Sequence, residues 1–166
     1  MDPLHLAILI GGPPDRAPAE RVAERAYRRG DLEVDLIDLT AACLPEVPPC
    51  GLPTPSAVRD LVPWLAAADG FVVVVPERRS GPLVNAPGWY ADQLRAKPVA
   101  FLGHGGARPA ERRLRALFAA VPAVTVREAA GFGRRDTDRV LDELAWWARP
   151  LREARAKNPY PPLQTP

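Results

Sequence analysis

The segment Phe71–Pro76, FVVVVP, carries the strongest strand signal in the sequence. Four of its first five residues are β-branched valines, and no polar residue interrupts the run. A short, continuous apolar run of this kind is typical of a parallel strand that is covered by helices on both faces. We therefore predict a central, buried β-strand at this position, and the rest of the fold is built outward from it.

Four further segments have the composition of strands. They are the apolar run Leu4–Ile10, the alternating segment 33–39 (EVDLIDL) with Val34, Leu36 and Ile37 as its apolar members, Lys97–Gly103 (KPVAFLG), and the short segment 123–126. Helical patterns separate these strands. Strands and helices that alternate in this way predict an α/β fold, with a doubly wound parallel sheet of five strands and helices on both faces.

Helices are predicted where apolar residues recur three and four positions apart. The stripes are Ala19, Val22, Ala23, Ala26 and Tyr27, then Ala110, Leu114, Leu117, Phe118 and Val121, and finally Val140, Leu141, Leu144 and Trp147. A helix that starts at Thr54 and Pro55 is expected to kink or break at Pro63. We expect Asp136 or Thr137 to cap the last helix, and Trp146, which lies off its stripe, to be available for a partner.

Composition limits the possible functions. The 166 residues are 47% hydrophobic and 25% charged, as in ordinary globular proteins. The 22 basic residues against 20 acidic ones give a net charge of +2, which provides no argument for a nucleic-acid partner or a membrane surface. The two histidines stand alone, so the sequence suggests no metal cluster. We expect Cys43 and Cys50 to be free thiols.

The chain length fits one domain, which we place at residues 1–156. Residues 157–166 are rich in proline and are predicted to form an extended tail. The long loop over residues 40–56 contains five prolines, and a loop of this length is either functional or covers part of the structure. No signal sequence is visible at the start of the chain, so a cytoplasmic location is expected.

Ligands of doubly wound folds bind beyond the carboxyl ends of the strands. Three predicted loops meet that condition, at residues 11–17, 77–88 and 103–107. The first follows the stretch ILIGG and leads into a helix, which is a common arrangement for holding a phosphate group. However, this loop contains Pro13, Pro14 and Pro18, and proline has no N–H to offer an anion.

The segments AAADGFVVVVPE (residues 66–77), EVDLIDL and KPVAFLGHGG (residues 97–106) resemble the NADPH-dependent FMN reductase family over roughly residues 4–150. This resemblance implies a flavodoxin-like fold with strand order 2-1-3-4-5. It also implies FMN and NADPH as cofactors, a flavin, quinone or other small acceptor as substrate, and a homodimer or homotetramer. In such proteins the flavin supplies the redox chemistry, while the protein contributes binding and electrostatics.

The family's first loop commonly reads G-S-x-R-x-x-S and binds the phosphate of FMN. Gly11 matches this pattern, but Gly12, Pro14 and Ala17 replace the serine, the arginine and the second serine. Gly11, Gly12 and Ala17 are still expected to line this site, with Arg16 supplying one positive charge. The loss of two or three neutral hydrogen bonds would weaken FMN binding by roughly a hundredfold.

The family's second loop reads P-E-Y-N and packs an aromatic ring beside the flavin. Pro76 and Glu77 match this motif, whereas Arg78 and Arg79 replace its Tyr-Asn. We expect one of these arginines to point into the cleft and bind an anionic group of the substrate. The third loop is preserved, with Gly103, His104, Gly105 and Gly106 expected to hold the flavin ring. His104 is also a candidate general acid or base.

Two functional hypotheses follow from these residues. The first is an NAD(P)H-dependent flavin oxidoreductase that binds FMN weakly. The second is a family member that has lost flavin, in which Arg78, Arg79 and His104 bind another small anionic metabolite or act on it without redox chemistry. The intact third loop favours the first hypothesis, and the two altered loops favour the second, since a fold by itself does not fix a function.

Overall fold

The computed structural model describes residues 2–47, 53–77, 80–103 and 108–161. Five parallel strands form one sheet: β1 (Leu4–Ile10), β2 (Leu32–Asp38), β3 (Gly70–Val75), β4 (Pro98–Gly103) and β5 (Val124–Ala130). Their order across the sheet is β2-β1-β3-β4-β5. The predicted doubly wound sheet and its order 2-1-3-4-5 are therefore confirmed.

The FVVVVP segment forms the centre of this sheet. Strand β3 pairs with β1 on one side, where Ile8 lies opposite Val72, and with β4 on the other, where Val72 lies opposite Ala100. All six residues of β3 are buried. A strand in this position has no contact with water on either face, which explains why it contains no polar residue.

In the described part of the chain, five α-helices and two short 3-10 turns lie between or after the strands. The helices are α1 (Arg16–Tyr27), α2 (Ser56–Ala67), α3 (Ala86–Leu94), α4 (Arg108–Ala119) and α5 (Arg134–Lys157), and the 3-10 turns are Pro13–Asp15 and Gly81–Val84. Helices α1 and α5 pack against one face of the sheet, and α2, α3 and α4 pack against the other. Alternate strand residues supply the two hydrophobic cores, as the period of two in a strand requires.

Of the kink or break that was predicted at Pro63, the break is wrong, because α2 continues from Ser56 to Ala67 with Pro63 inside it. Proline cannot donate the hydrogen bond that would close the helical turn to Arg59. Pro63 and Arg59 are both exposed, so water can bond to the carbonyl oxygen that the proline leaves without a donor. The residue that precedes this helix is Pro55 rather than Thr54.

Two predictions for the last helix are also wrong. The residue before α5 is Gly133, and Asp136 and Thr137 lie inside the helix. Trp147 is 36% exposed, whereas Ala145 and Ala148 are buried beside Val140, Leu141 and Leu144. Small residues allow α5 to approach the sheet closely, and the indole of Trp147 is left at the margin, in edge-to-face contact with Trp146.

Helix α5 ends at Lys157, one residue beyond the predicted end of the domain, and the tail residues 162–166 lie outside the described part of the chain. The fifth strand extends to Ala130, four residues further than predicted. Within the described ranges, no helix combines the length and the hydrophobicity that crossing a membrane requires.

Candidate functional site

A cavity of about 660 Å³ opens at the carboxyl edge of the sheet. Its walls come from the segments that follow β1, β2 and β3. The lining residues are Gly11, Gly12, Pro13, Pro14, Asp15, Thr40, Pro76, Glu77, Gly81 and Pro82. The chain leaves β1 towards β2 on one side and reaches β3 on the other, so the cavity lies at the point where the strand order reverses, which is where doubly wound folds bind ligands.

Close backbone packing holds the three walls together. The hydroxyl of Thr40 donates a hydrogen bond to the carbonyl oxygen of Gly11. A Cβ atom on Gly11 would lie 3.2 Å from the carbonyl oxygen of Ser80, and one on Gly81 would lie 3.2 Å from the carbonyl oxygen of Gly11. Glycine at these two positions therefore allows the first loop and the loop after β3 to come into contact.

Gly12 has φ 155° and ψ −176°, a conformation that is essentially restricted to glycine. A Cβ atom here would lie 3.2 Å from the Oγ1 of Thr40. In the first-loop pattern G-S-x-R-x-x-S, which this loop resembles, the same position is a serine. The loop is therefore rebuilt around a glycine, and a serine could not be introduced here without strain.

Few backbone N–H groups of the first loop are available to an anion. Pro13, Pro14 and Pro18 carry none. The N–H of Asp15 donates to the carbonyl oxygen of Gly12 at 3.1 Å, and the N–H of Arg16 donates to the carbonyl oxygen of Pro13. The 3-10 turn thus uses internally the donors that a helix N-terminus normally presents to a phosphate.

Among the described residues that line this cavity, the charged ones are acidic. Asp15 is half-buried and Glu77 is exposed, and no Lys or Arg occurs among the lining residues that the structure describes. Arg16, expected to supply a positive charge, is not a lining residue; its Nε donates to the Oε1 of Glu20 at 3.1 Å on the exposed side of α1. Ala17 is exposed in the first turn of α1.

Of the remaining predicted site residues, two line the cavity, one does not, and five lie outside the described part of the chain. Pro76 and Glu77 line the cavity, as expected from their position after the central strand. Gly103 is buried at the end of β4, where a Cβ atom would lie 3.0 Å from that of Val75, and it does not line the cavity. Arg78, Arg79, His104, Gly105 and Gly106 lie outside the described residues, so their proposed roles stay predictions.

Three lining residues were not predicted individually: Thr40 lies outside the three predicted loops, and Asp15 and Gly81 lie within two of them. Thr40 follows β2 closely at the carboxyl edge, so the rule that selected the other loops could have selected it as well. Asp38 orients this turn, because its Oδ1 accepts N–H bonds from Thr40 at 2.9 Å and from Ala41 at 3.0 Å. The pattern G-S-x-R-x-x-S leaves position 15 unspecified, so it gives no reason to select Asp15.

The cavity is large enough for a ligand such as FMN, but its first loop is poorly suited to the phosphate group of FMN. Its volume lies within the range of pockets that hold small molecules and cofactors. The first loop fits a phosphate poorly, because its prolines lack N–H groups and the N–H groups of Asp15 and Arg16 are used within the turn.

Solved structures with the same fold include several flavoproteins. The flavoenzyme FerB, an NAD(P)H:(acceptor) oxidoreductase from Paracoccus denitrificans, has a TM-score of 0.68 and 17% identity, with 90% of this chain and 98% of FerB covered. The diflavin flavoprotein A3 from Nostoc sp. has a TM-score of 0.59 and 15% identity, with 93% and 99% covered. An NAD(P)H:quinone oxidoreductase from Methanothermobacter marburgensis has a TM-score of 0.50 and 14% identity, with 90% and 98% covered. These likenesses establish a flavodoxin-like fold.

No curated protein matches the sequence. The sequence profile of the NADPH-dependent FMN reductases matches residues 5–137, which include β1 to β5, the cavity and the start of α5. The match covers well over half of the chain and agrees with the resemblance found in the strand and loop motifs. This chain therefore belongs to the NADPH-dependent FMN reductase family.

Proposed function

We propose that this chain is an NAD(P)H-dependent oxidoreductase that holds a flavin weakly and reduces a small acceptor such as a flavin or a quinone. The observation that carries the proposal is the cavity of about 660 Å³ at the switch point of a chain that belongs to an FMN reductase family. FerB and the quinone oxidoreductase, which share the fold, are described as NAD(P)H-dependent oxidoreductases as well.

In this proposal the flavin, when bound, supplies the redox chemistry, and the residues of the chain bind and shield it. The walls at Pro76, Pro82 and Pro14 offer apolar surface to a ring system. Weak binding follows from the first loop, because a phosphate placed there would find few N–H donors to replace the water that it loses.

Purified protein mixed with NADPH or NADH, a flavin and a quinone provides the test. We expect oxidation of the nicotinamide, followed by its absorbance at 340 nm, to exceed the rate that free flavin gives without protein. The rate should saturate with flavin in the micromolar range or above. Rates equal to those of free flavin, with both nicotinamides and with FMN or riboflavin, would contradict the proposal.

A flavin-independent binding or non-redox role is the second candidate. It is favoured by the same first loop, in which the prolines carry no N–H and the N–H groups of Asp15 and Arg16 are bonded within the turn. In that case Arg78, Arg79 and His104 would act on a small anionic metabolite. Flavin titration separates the two candidates, because the second predicts no binding of any flavin at millimolar concentration.

A further inference from the structure

Another concave surface, which we call the β2 groove, lies between the outer edge of β2 and helix α2. It consists of two adjoining hollows of about 520 and 380 Å³, and Asp35 and Trp64 line both of them. The lining residues of β2 extend from Glu33 to Asp38, which corresponds to about 17 Å along the strand. A groove of this length suits an extended chain better than a compact small molecule.

Strand β2 is an edge of the sheet, and one set of its backbone groups has no strand to pair with. In the described part of the chain, β2 pairs with β1 alone. The carbonyl oxygen of Asp31 accepts the N–H of Leu4 at 3.0 Å, so the odd-numbered residues of this segment direct their backbone groups towards β1. Because these groups alternate in direction along a strand, those of Val34 and Leu36 point outward into the groove. An extended peptide could therefore be added at this edge.

The side chains of the groove favour a cationic ligand. Asp35 is half-buried and forms no hydrogen bond or ion pair with the residues that the structure describes. The carboxylate of Glu33 lies 3.2 Å from Nε2 of His5, and no Lys or Arg occurs among the described lining residues. Trp64 is 56% exposed and forms the opposite wall. A carboxylate beside an exposed indole attracts a Lys or Arg side chain by charge and by cation–π contact.

The two faces of β2 differ in chemistry. Val34 and Leu36 are half-buried and pack against the core beneath α1 and α5, whereas Ile37 packs into the core beneath α2. Because side chains alternate along a strand, Glu33 and Asp35 share the α2 face with Ile37. A strand added at this edge alternates in the same way. Its side chains would lie in turn beside the carboxylates and Trp64 on one face and beside apolar residues on the other.

We propose that the β2 groove binds an extended segment of a partner protein in which Arg or Lys alternates with apolar residues, added as a further strand to the sheet. A second copy of this chain is a poorer occupant, because pairing of two β2 edges would bring the carboxylates of Glu33 and Asp35 close to those of the other copy. The inference goes beyond the proposed oxidoreductase, since the groove shares no lining residue with the cavity.

The fluorescein-labelled peptide RVRVRVR tests the proposal by fluorescence anisotropy at about 0.15 M salt, with RRRRVVV and EVEVEVE as control peptides. We expect RVRVRVR to bind with a dissociation constant of about 100 µM, RRRRVVV to bind about tenfold more weakly, and EVEVEVE not to bind. The two basic peptides have the same composition and charge, so equal binding of both would mean general charge attraction and would overturn the inference. So would the absence of RVRVRVR binding at millimolar concentration.

Two variants locate the binding in the groove. Trp64→Ala removes the aromatic wall, and Asp35→Asn keeps the size of the side chain and removes its charge. Trp146→Ala and Glu153→Gln, at exposed positions of α5, are the matched controls. We expect each groove variant to bind RVRVRVR about five- to tenfold more weakly, and each control to stay within twofold of the original. Unchanged binding in both groove variants would place the peptide elsewhere and overturn the inference.

Hydrogen exchange of the original protein gives a test that needs no variant. The N–H groups of Val34 and Leu36 point outward, whereas those of Asp35 and Ile37 face β1. We expect saturating RVRVRVR to slow exchange at Val34 and Leu36 and to leave Asp35 and Ile37 as they were. Protection confined to other segments would contradict the proposal. A dimer that dissociates in Trp64→Ala, measured by sedimentation without peptide, would assign the groove to a second copy and would also overturn it.

Discussion

The backbone conformation of Gly12, with φ 155° and ψ −176°, predicts that adding a single Cβ atom at this residue destabilises the fold. In Gly12→Ala the new Cβ atom would meet the Oγ1 of Thr40 at 3.2 Å and would also force alanine into a region that it rarely occupies. We expect the free energy of unfolding, measured by urea denaturation, to fall by roughly 2 kcal/mol.

Gly30→Ala is the matched control for this variant. Gly30 has φ 72°, but a Cβ atom there would have no neighbour within 4 Å, so only the backbone strain remains. Its cost should be about 1 kcal/mol. If Gly12→Ala were no more destabilising than Gly30→Ala, the contact with Thr40 would not constrain the loop.

Single residues of the site were only partly predictable from the sequence. Pro76 and Glu77 could be placed because they follow an unmistakable strand. The positions of Thr40 and Gly81 at the carboxyl edge follow from the strands before them, but their contacts with Gly11 could not be predicted, since these contacts join segments that are far apart in the chain. Arg16 was expected to face the ligand, yet a glutamate one helical turn away provides a nearer partner. A short sequence motif shows neither contacts between distant segments nor a neighbouring residue that binds the same side chain as the ligand would.

At the scale of elements, Lys97 links the end of α2 to the start of β4. Its Nζ donates to the carbonyl oxygens of Leu65 and Ala66 at 3.0 and 2.8 Å, which are among the last carbonyls of the helix. Lys97 is buried and lies over the ring of Phe71. Burial lowers its pKa to about 8, against an ordinary value of 10.5.

This shift predicts how stability depends on pH. The unfolded chain keeps the Lys97 proton up to its ordinary pKa, whereas the folded chain releases it near pH 8. Between these values the unfolded state binds more protons, so stability rises with pH. We expect the free energy of unfolding of the original chain to gain about 2 kcal/mol relative to Lys97→Met between pH 7 and 9.5. Parallel pH profiles for the two proteins would contradict the assignment.

The elements themselves were largely predictable, because period-two and period-3.6 patterns reflect burial. The exceptions are instructive. An exposed Pro63 did not end α2, since water can satisfy the carbonyl that it leaves without a donor. Trp147 was assigned to the core by spacing, but alanines at 145 and 148 pack closer to the sheet. Both errors arise because proline was expected to interrupt a helix and tryptophan to enter the core, whereas the surroundings of each residue decide the outcome.

At the scale of the whole molecule, the two edges of the sheet have different roles. The cavity lies at the carboxyl edge, and a cluster of charges around Asp69 lies at the opposite edge, about 20 Å away for strands of six or seven residues. Asp69 is 5% exposed. It accepts the N–H of His5 at 3.1 Å and pairs with Arg152 and Arg155 of α5, each at 3.3 Å.

This cluster joins the end of the chain to its beginning. Arg152 also donates to the carbonyl oxygen of Pro3 at 3.0 Å, and Arg155 donates to that of Ala96 at 2.6 Å. The last turns of α5 are thereby fixed to the segments that lead into β1, β3 and β4. Because Lys97 is close enough for Asp69 to favour its charged form, the four residues form one electrostatic unit.

The last prediction concerns the coupling within this unit. Asp69→Asn removes the negative charge that balances Arg152, Arg155 and Lys97, and we expect it to lower the free energy of unfolding by about 3 kcal/mol. In the background of Lys97→Met one of the three positive charges is already gone, so the same substitution should cost about 1 kcal/mol less. Urea denaturation of the two single variants and the double variant gives this difference directly, with Asp60→Asn as the control for an exposed acid. Strictly additive costs would mean that Lys97 and Asp69 act independently. Flavin affinity should be unchanged in all four proteins, because the cavity is built at the other edge of the sheet; a loss in Asp69→Asn would show that the two edges are coupled.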